Sequence, residues 1–220
     1  MRTKRITLFA GHYGSGKTNI AVNYALFLAK QGLRVSLGDL DIVNPYYRAK
    51  DSEKELSAAG VKVISSAYAN SNVDVPAMPQ EAYALTEDRT THAVLDVGGD
   101  DRGALALGRY VPAIQEENEY EMLFVFNRSR PLTRDAQSAL GILREIEEAC
   151  RLPFTGIVHN TNLGRETRPE TLLDALPALH ELEKLSGLPV IFTAARSDIA
   201  ALLPTEIGEV FPITLQKTIW

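Results

Sequence analysis

Residues 11–18 read Gly11-His12-Tyr13-Gly14-Ser15-Gly16-Lys17-Thr18, the spacing G-x-x-x-x-G-K-[ST] with every required position filled. The chemistry open to such a loop is capture of a phosphorylated ligand. Glycines at 11, 14 and 16 let the backbone turn through conformations that a side chain forbids. Successive N–H groups then form a nest for phosphate oxygens. A helix opening directly after the loop, with Asn19 in its first turn, adds its dipole and its unpaired leading donors. Lys17 reaches the outer phosphates, and the Thr18 hydroxyl can ligate a Mg²⁺ that bridges them. Gly11 through Asn19 are therefore candidate contacts to a nucleoside triphosphate, with Lys17 also a candidate catalytic group. An ordinary glycine-rich turn is the competing reading.

Two acidic clusters have the spacing to complete such a site. The apolar run 33–38 delivers Asp39-Leu40-Asp41, and residues two apart in extended chain face the same way. The run 92–97 delivers Asp96 near its end, with Val97-Gly98-Gly99-Asp100-Asp101 after it. An Asp closing an apolar strand suits a Mg²⁺ held through water, and the glycine pair can offer a backbone N–H to a terminal phosphate. Asp39 and Asp41 serve equally as turn or cap residues, and Asp100 and Asp101 read as caps of the next helix.

These residues need a frame that gathers them. Ile6 to Ala10 is a short apolar run before the loop; Ile20, Tyr24, Phe27 and Leu28 recur at helical spacing after it, and Gly32 supplies a stop. Further strands are expected at 5–10, 33–38, 61–66, 92–97, 121–127, 154–160 and 189–194. Helices are expected at 17–31, 101–115, 132–150, 169–186 and 197–203. Segment 67–91, with Pro76 and Pro79, reads as a loop or an irregular helix near the site. Alternation of this kind predicts a single α/β domain over 1–220: three layers, a mostly parallel sheet and helices on both faces. In such sheets ligands bind at the carboxyl ends of strands, where Gly11, Asp39, Asp96, Asn127 and Asn160 all fall. Asn127 and Asn160 join the candidate nucleotide contacts. An amide at Asn160 can read the edge of adenine, or it can simply form a turn with Asn162.

Composition narrows the function. The 220 residues are 45% hydrophobic and 23% charged, as a folded domain should be. Net charge is −5, from 23 basic and 28 acidic residues, and no polybasic run exists, so neither nucleic acid nor an anionic membrane is an expected partner. The single Cys150 excludes an internal disulfide and fits a reducing compartment. No apolar stretch approaches the ~20 residues that span a bilayer, and the early first strand leaves no room for a signal peptide. A cytoplasmic protein is the expectation.

The order of phosphate loop, Asp-x-Asp and Asp-x-Gly-Gly resembles the SIMIBI-class P-loop NTPases of the MinD/ParA/CobQ type, most strongly over 6–48 and 92–103. The resemblance implies that Lys17 and Thr18 contact phosphate and Mg²⁺, and that Asp39 and Asp96 hold the metal through water. It further implies that Asp41 positions the attacking water and that Gly99 senses the γ-phosphate. Dimeric ATPases of this group carry a second lysine directly after the first loop glycine. This chain has His12 there, shorter and titratable, so a homodimer sharing nucleotides lacks its expected cation. The guanine-specifying Asn-Lys-x-Asp pattern is absent, which points to ATP.

Asn44-Pro45-Tyr46-Tyr47-Arg48 pairs aromatics with an amide and an arginine, the composition of a recognition surface for a protein or small-molecule partner. Arg128, Arg130 and Arg134 read as a solvated basic edge, any one of which could meet an acidic ligand. Two functions stay open: a nucleotide-dependent switch with slow ATP hydrolysis, or an ATP-dependent ligase or kinase of the dethiobiotin synthetase and cobyrinic acid synthase type. Insertion of a metal cofactor would call for His- or Cys-rich tracts, which four His and one Cys do not form.

Overall fold

The computed structural model describes residues 3–41, 52–65, 80–99 and 106–216. Eight strands are β1 (Ile6–Ala10), β2 (Val35–Asp39), β3 (Lys62–Ser65), β4 (His92–Asp96), β5 (Tyr120–Phe126), β6 (Gly156–His159), β7 (Val190–Arg196) and β8 (Val210–Ile213). They form one sheet in the order β3-β2-β4-β1-β5-β6-β7-β8, and every pairing is parallel. The helices are α1 (Lys17–Lys30), α2 (Glu53–Ala58), α3 (Ala84–Glu87), α4 (Val111–Glu117), α5 (Ala136–Cys150), α6 (Pro169–Leu173), α7 (Leu176–Ser186) and α8 (Ser197–Ala200).

Alternate side chains of the central strands enter two separate cores, which is why these strands read as unbroken apolar runs. Phe9, Leu123 and Val125 pack with Ile20, Tyr24 and Leu28 of α1 on one face. Ile6, Leu8, Met122 and Phe124 pack with Ile114, Leu143, Leu179 and Leu182 on the other. Each such fully buried side chain contributes roughly 1.5–3 kcal/mol. The three-layer α/β expectation is met, and the sheet is wholly parallel rather than mostly so.

The differences from the expected elements have local causes. The expected helix 132–150 opens as a 3-10 turn at Pro131–Thr133; α5 begins only where the Asp135 carboxylate accepts the Ser138 N–H at 2.8 Å. The expected helix 169–186 breaks in two, because Pro177 in the first turn of α7 cannot donate to a preceding carbonyl. Within 67–91, residues Gln80–Tyr83 form a 3-10 turn that runs into α3. The expected strands lie within a residue or two of the observed ones. Strand β8 and helix α2 were not anticipated; Pro212 argues against a strand, yet β8 lies at the sheet edge, where a missing N–H is tolerated. Helix 101–115 is described only from residue 106. Asn44–Arg48, Asp100, Asp101 and residues 67–79 lie outside the described residues.

Strand order sets the site. β1 sits between β4 and β5, with β2 beyond β4 and β6 to β8 beyond β5. The connection out of β1 therefore leaves at the point where the sheet reverses its direction of growth, the position at which parallel sheets open a crevice.

Candidate functional site

The loop after β1 wraps back on itself through Ser15 N–H to His12 O at 3.0 Å and enters α1 through Ile20 N–H to Gly16 O at 3.1 Å. Gly14 and Gly16 have φ of +74° and +92°, the left-handed region that glycine enters without strain. No side chain caps α1, so its leading donors are left to a ligand.

Three neighbours hold the loop in shape. A Cβ on Gly99 would lie 2.1 Å from Gly11 O, so the Gly98-Gly99 turn presses directly on the loop backbone. The Asn160 amide donates to Ser15 O at 2.7 Å, and a Cβ on Gly16 would lie 2.3 Å from the same nitrogen. Arg130 donates through Nε to Gly14 O at 2.7 Å.

The acidic residues converge on the loop's far end. Register places Asp96 beside both Phe9 and Asp39, and Leu40 N–H bonds Asp96 O at 2.9 Å. Asp41 N–H donates to Asp39 Oδ1 at 3.2 Å, and Lys17 Nζ lies 2.9 Å from Asp41 Oδ2 with both side chains buried. Burial raises the Asp96 carboxyl to about 6; the Lys17 charge opposes that rise and Asp41 adds to it. Neither Asp96 oxygen completes a hydrogen bond among the described residues. A buried carboxylate in that position suits metal-bound water. Among the described residues no group of three His, Cys, Asp or Glu side chains is arranged to hold a metal ion by itself. Thr18, Asp39 and Asp96 offer oxygen donors of the kind that would suit a Mg²⁺ bound together with phosphate.

Beside the loop opens a cleft of about 920 Å³, walled by Asn160, Thr161 and Asn162 after β6, by Ala195 and Arg196 of β7, and by residues 214–216 after β8. Arg196 is paired with Asp198 at 2.5 and 2.8 Å at its edge. Asn127 is fully buried and does not line this cleft. Its oxygen accepts Ser129 N–H at 3.0 Å and Asn162 N–H at 3.4 Å, tying the loops after β5 and β6 together. Tyr13 is exposed, and the His12 ring stays local, Nδ1 lying 3.0 Å from Tyr13 O.

The structure therefore brings together Gly11 to Asn19, Asp39, Asp41, Asp96, Gly99 and Asn160, with Asn127 one layer beneath. Of the three arginines, only Arg130 reaches the loop. Arg128 bonds Asp174 O at 3.2 Å, and Arg134 pairs with Asp135 at 3.5 Å on the surface. Nothing in the spacing of Arg-Ser-Arg-Pro singles out Arg130. The cleft wall at 214–216 carries no sequence signal at all.

Comparison with known proteins agrees with this geometry. The structure resembles the cell division protein FtsY of Thermotoga maritima (21% identity, TM-score 0.54, 86% of this chain and 61% of that one). It also resembles the signal recognition particle receptor FtsY of Elizabethkingia anophelis in complex with GDP (15%, 0.55, 88% and 58%). A third likeness is to the signal recognition particle 54 kDa protein of Aeropyrum pernix in complex with GDP (19%, 0.54, 87% and 41%). The chain spans about three-fifths of the two FtsY proteins and two-fifths of the third, and at these identities the likeness establishes the fold alone. No curated protein matches the chain. The family model for the CobQ/CobB/MinD/ParA nucleotide binding domain matches residues 6–191, a span that takes in the phosphate loop, both acidic strand ends and the Asn160 wall. The chain belongs to that nucleotide-binding family.

Proposed function

We propose that the chain is a Mg²⁺-dependent ATP-binding protein that hydrolyses ATP slowly and acts as a nucleotide-dependent switch. The observation that supports this most strongly is the buried Lys17–Asp41 ion pair at the phosphate loop. A triphosphate competes with Asp41 for Lys17. Once Lys17 turns to phosphate, the Asp41 carboxylate is released to accept a hydrogen bond from water and align it for attack. Ligand capture and exposure of the water-positioning group are then one event. That event falls at the residue leading, in sequence, into Asn44–Arg48, where we place the partner.

Thr18, Asp39 and Asp96 would hold a Mg²⁺, which when bound would neutralise charge on the outer phosphates. Gly99 offers its N–H to the terminal phosphate, and Asn160 faces the nucleoside. Adenine is the base we favour, because Asn160-Thr161-Asn162-Leu163 has neither the Lys nor the Asp of the guanine-specifying pattern. The GDP in two similar structures belongs to proteins of 15% and 19% identity. We place the protein in the cytoplasm; among the described residues no helix is long and apolar enough to cross a membrane.

Titration calorimetry with ATP and GTP, with and without Mg²⁺, tests the proposal. ATP should bind at least tenfold more tightly than GTP, and only with Mg²⁺. The reverse order overturns the choice of base, and no binding of either overturns the function. Turnover that requires a small-molecule acceptor, rather than a protein partner, would favour the ligase or kinase reading.

A further inference from the structure

Strand β8 closes the sheet on one side, and after Ile213 the chain runs along α1 instead of pairing with another strand. Its backbone groups still need partners, and two amide side chains provide them. Asn23 Oδ1 accepts Thr214 N–H at 2.8 Å, and Asn23 Nδ2 donates to Thr214 O at 3.0 Å. One turn earlier, Asn19 Oδ1 accepts Gln216 N–H at 3.0 Å. The Gln216 side chain continues to Ser52 Oγ at 2.8 Å, just before α2.

The match is geometric. Four helical residues rise about 6 Å, and two residues of extended chain advance about 6.6 Å, so amides at i and i+4 meet backbone groups at j and j−2. The pairing of 23 with 214 and 19 with 216 makes the segment antiparallel to α1, directing it toward the phosphate loop. Asn23 donates its second amide hydrogen to Asn19 O at 2.7 Å. Its orientation is therefore unique, since a flipped amide would set its oxygen against two carbonyls. Thr214, Leu215 and Gln216 are a wall of the cleft beside Gly16 and Asn160, whereas Asn23 does not line it.

We propose that Asn23 is a positioning residue for nucleotide binding: it pins residues 214–216 as the wall against which the nucleoside half of the ligand rests. Half-buried Leu215, held between the two anchored residues, is the apolar surface for the base. This rests on reading the cleft as the nucleoside site.

The test separates the two halves of the ligand. Binding of ATP and of inorganic tripolyphosphate is measured by displacement of a fluorescent ATP analogue from the full chain and from Asn23→Leu and Leu215→Ala. Asn23→Leu keeps volume but removes the hydrogen bonds; Leu215→Ala leaves the anchors intact. Each variant should lose at least tenfold in ATP affinity while tripolyphosphate binding stays within twofold. ATP binding within twofold of wild type in Asn23→Leu overturns the proposal, as does equal weakening of both ligands, which marks a general structural role. Wild-type ATP affinity no greater than that for tripolyphosphate overturns the nucleoside reading of the cleft itself. If Asn23→Leu fails to fold, Asn23→Ala takes its place under the same criteria.

Discussion

Lys17 Nζ stands 2.9 Å from Asp41 Oδ2, and both side chains are buried. The cation expected to hold phosphate and the carboxylate expected to align water are thus each other's counterions. Removing either one unbalances a buried cluster that also holds Asp96, and breaking a buried pair costs about 3–5 kcal/mol. Lys17→Ala should therefore abolish ATP binding and also lower stability. The double variant Lys17→Ala/Asp41→Ala should regain most of that stability without regaining binding. Urea unfolding and calorimetry read the two effects; a double variant no more stable than the single one would refute the pairing energetics.

Asp41→Ala separates binding from chemistry. It frees Lys17 of its competitor, so ATP affinity should equal or exceed that of wild type. Water alignment matters on the way to the transition state, so single-turnover hydrolysis should fall about 10²-fold, the scale of a positioned acid–base group. Hydrolysis that survives the substitution assigns water positioning to another residue.

Gly99→Ala tests the contact between the Gly98-Gly99 turn and the loop. The added carbon would meet Gly11 O at 2.1 Å, so the loop or the turn must shift. Overpacking of this kind costs roughly 1–3 kcal/mol. ATP affinity should drop about tenfold or more together with the melting temperature, and unchanged values of both would show that the turn yields freely.

Arg130 and His12 are the two candidates for a second cation at the loop. The Arg130 guanidinium is anchored on Gly14 O and lines the cleft, whereas the His12 ring bonds only its neighbour's carbonyl. Arg130→Ala should weaken ATP binding about tenfold, and His12→Ala should leave hydrolysis within about twofold. A steep loss in His12→Ala with ATP affinity retained would instead support a cross-dimer mechanism.

His159 makes stability depend on pH. It is fully buried between Phe126 and Thr193, with Nε2 lacking a partner among the described residues. Burial first, and then the His180 imidazole, pull its pKa down to about 4. The folded state thus prefers the neutral ring. The stability this provides is complete above the unfolded value near 6.5 and is lost as pH falls toward 4. Urea unfolding of wild type and His159→Asn between pH 7 and 4 should show a shallower acid loss in the variant; parallel curves would exclude this titration.

The sequence alone determined the features that depend on near neighbours. Gly-x-x-x-x-Gly-Lys-Thr needs only its own backbone freedom and the helix behind it. The nearness of Asp39 and Asp96 to the loop was legible because each stands at the end of an apolar run, and parallel strands present their carboxyl ends on one side. The strand positions followed from runs buried on both faces. Strand order, by contrast, was decided by which helix packs on which face, a matter of total buried area that no single segment records.

Tertiary structure alone also set the partners. Lys17 meets Asp41 across 24 residues. Asn160, read from sequence as a base contact, spends one amide hydrogen on Ser15 O across 145 residues. Asn23 meets Thr214 across 191. A polar side chain has no periodicity that names its partner; the partner is whatever unsatisfied group the folded backbone brings within about 3 Å. That is why the loop was legible from its eight residues, and why the wall beside it emerged only once β8 had carried the chain back across α1.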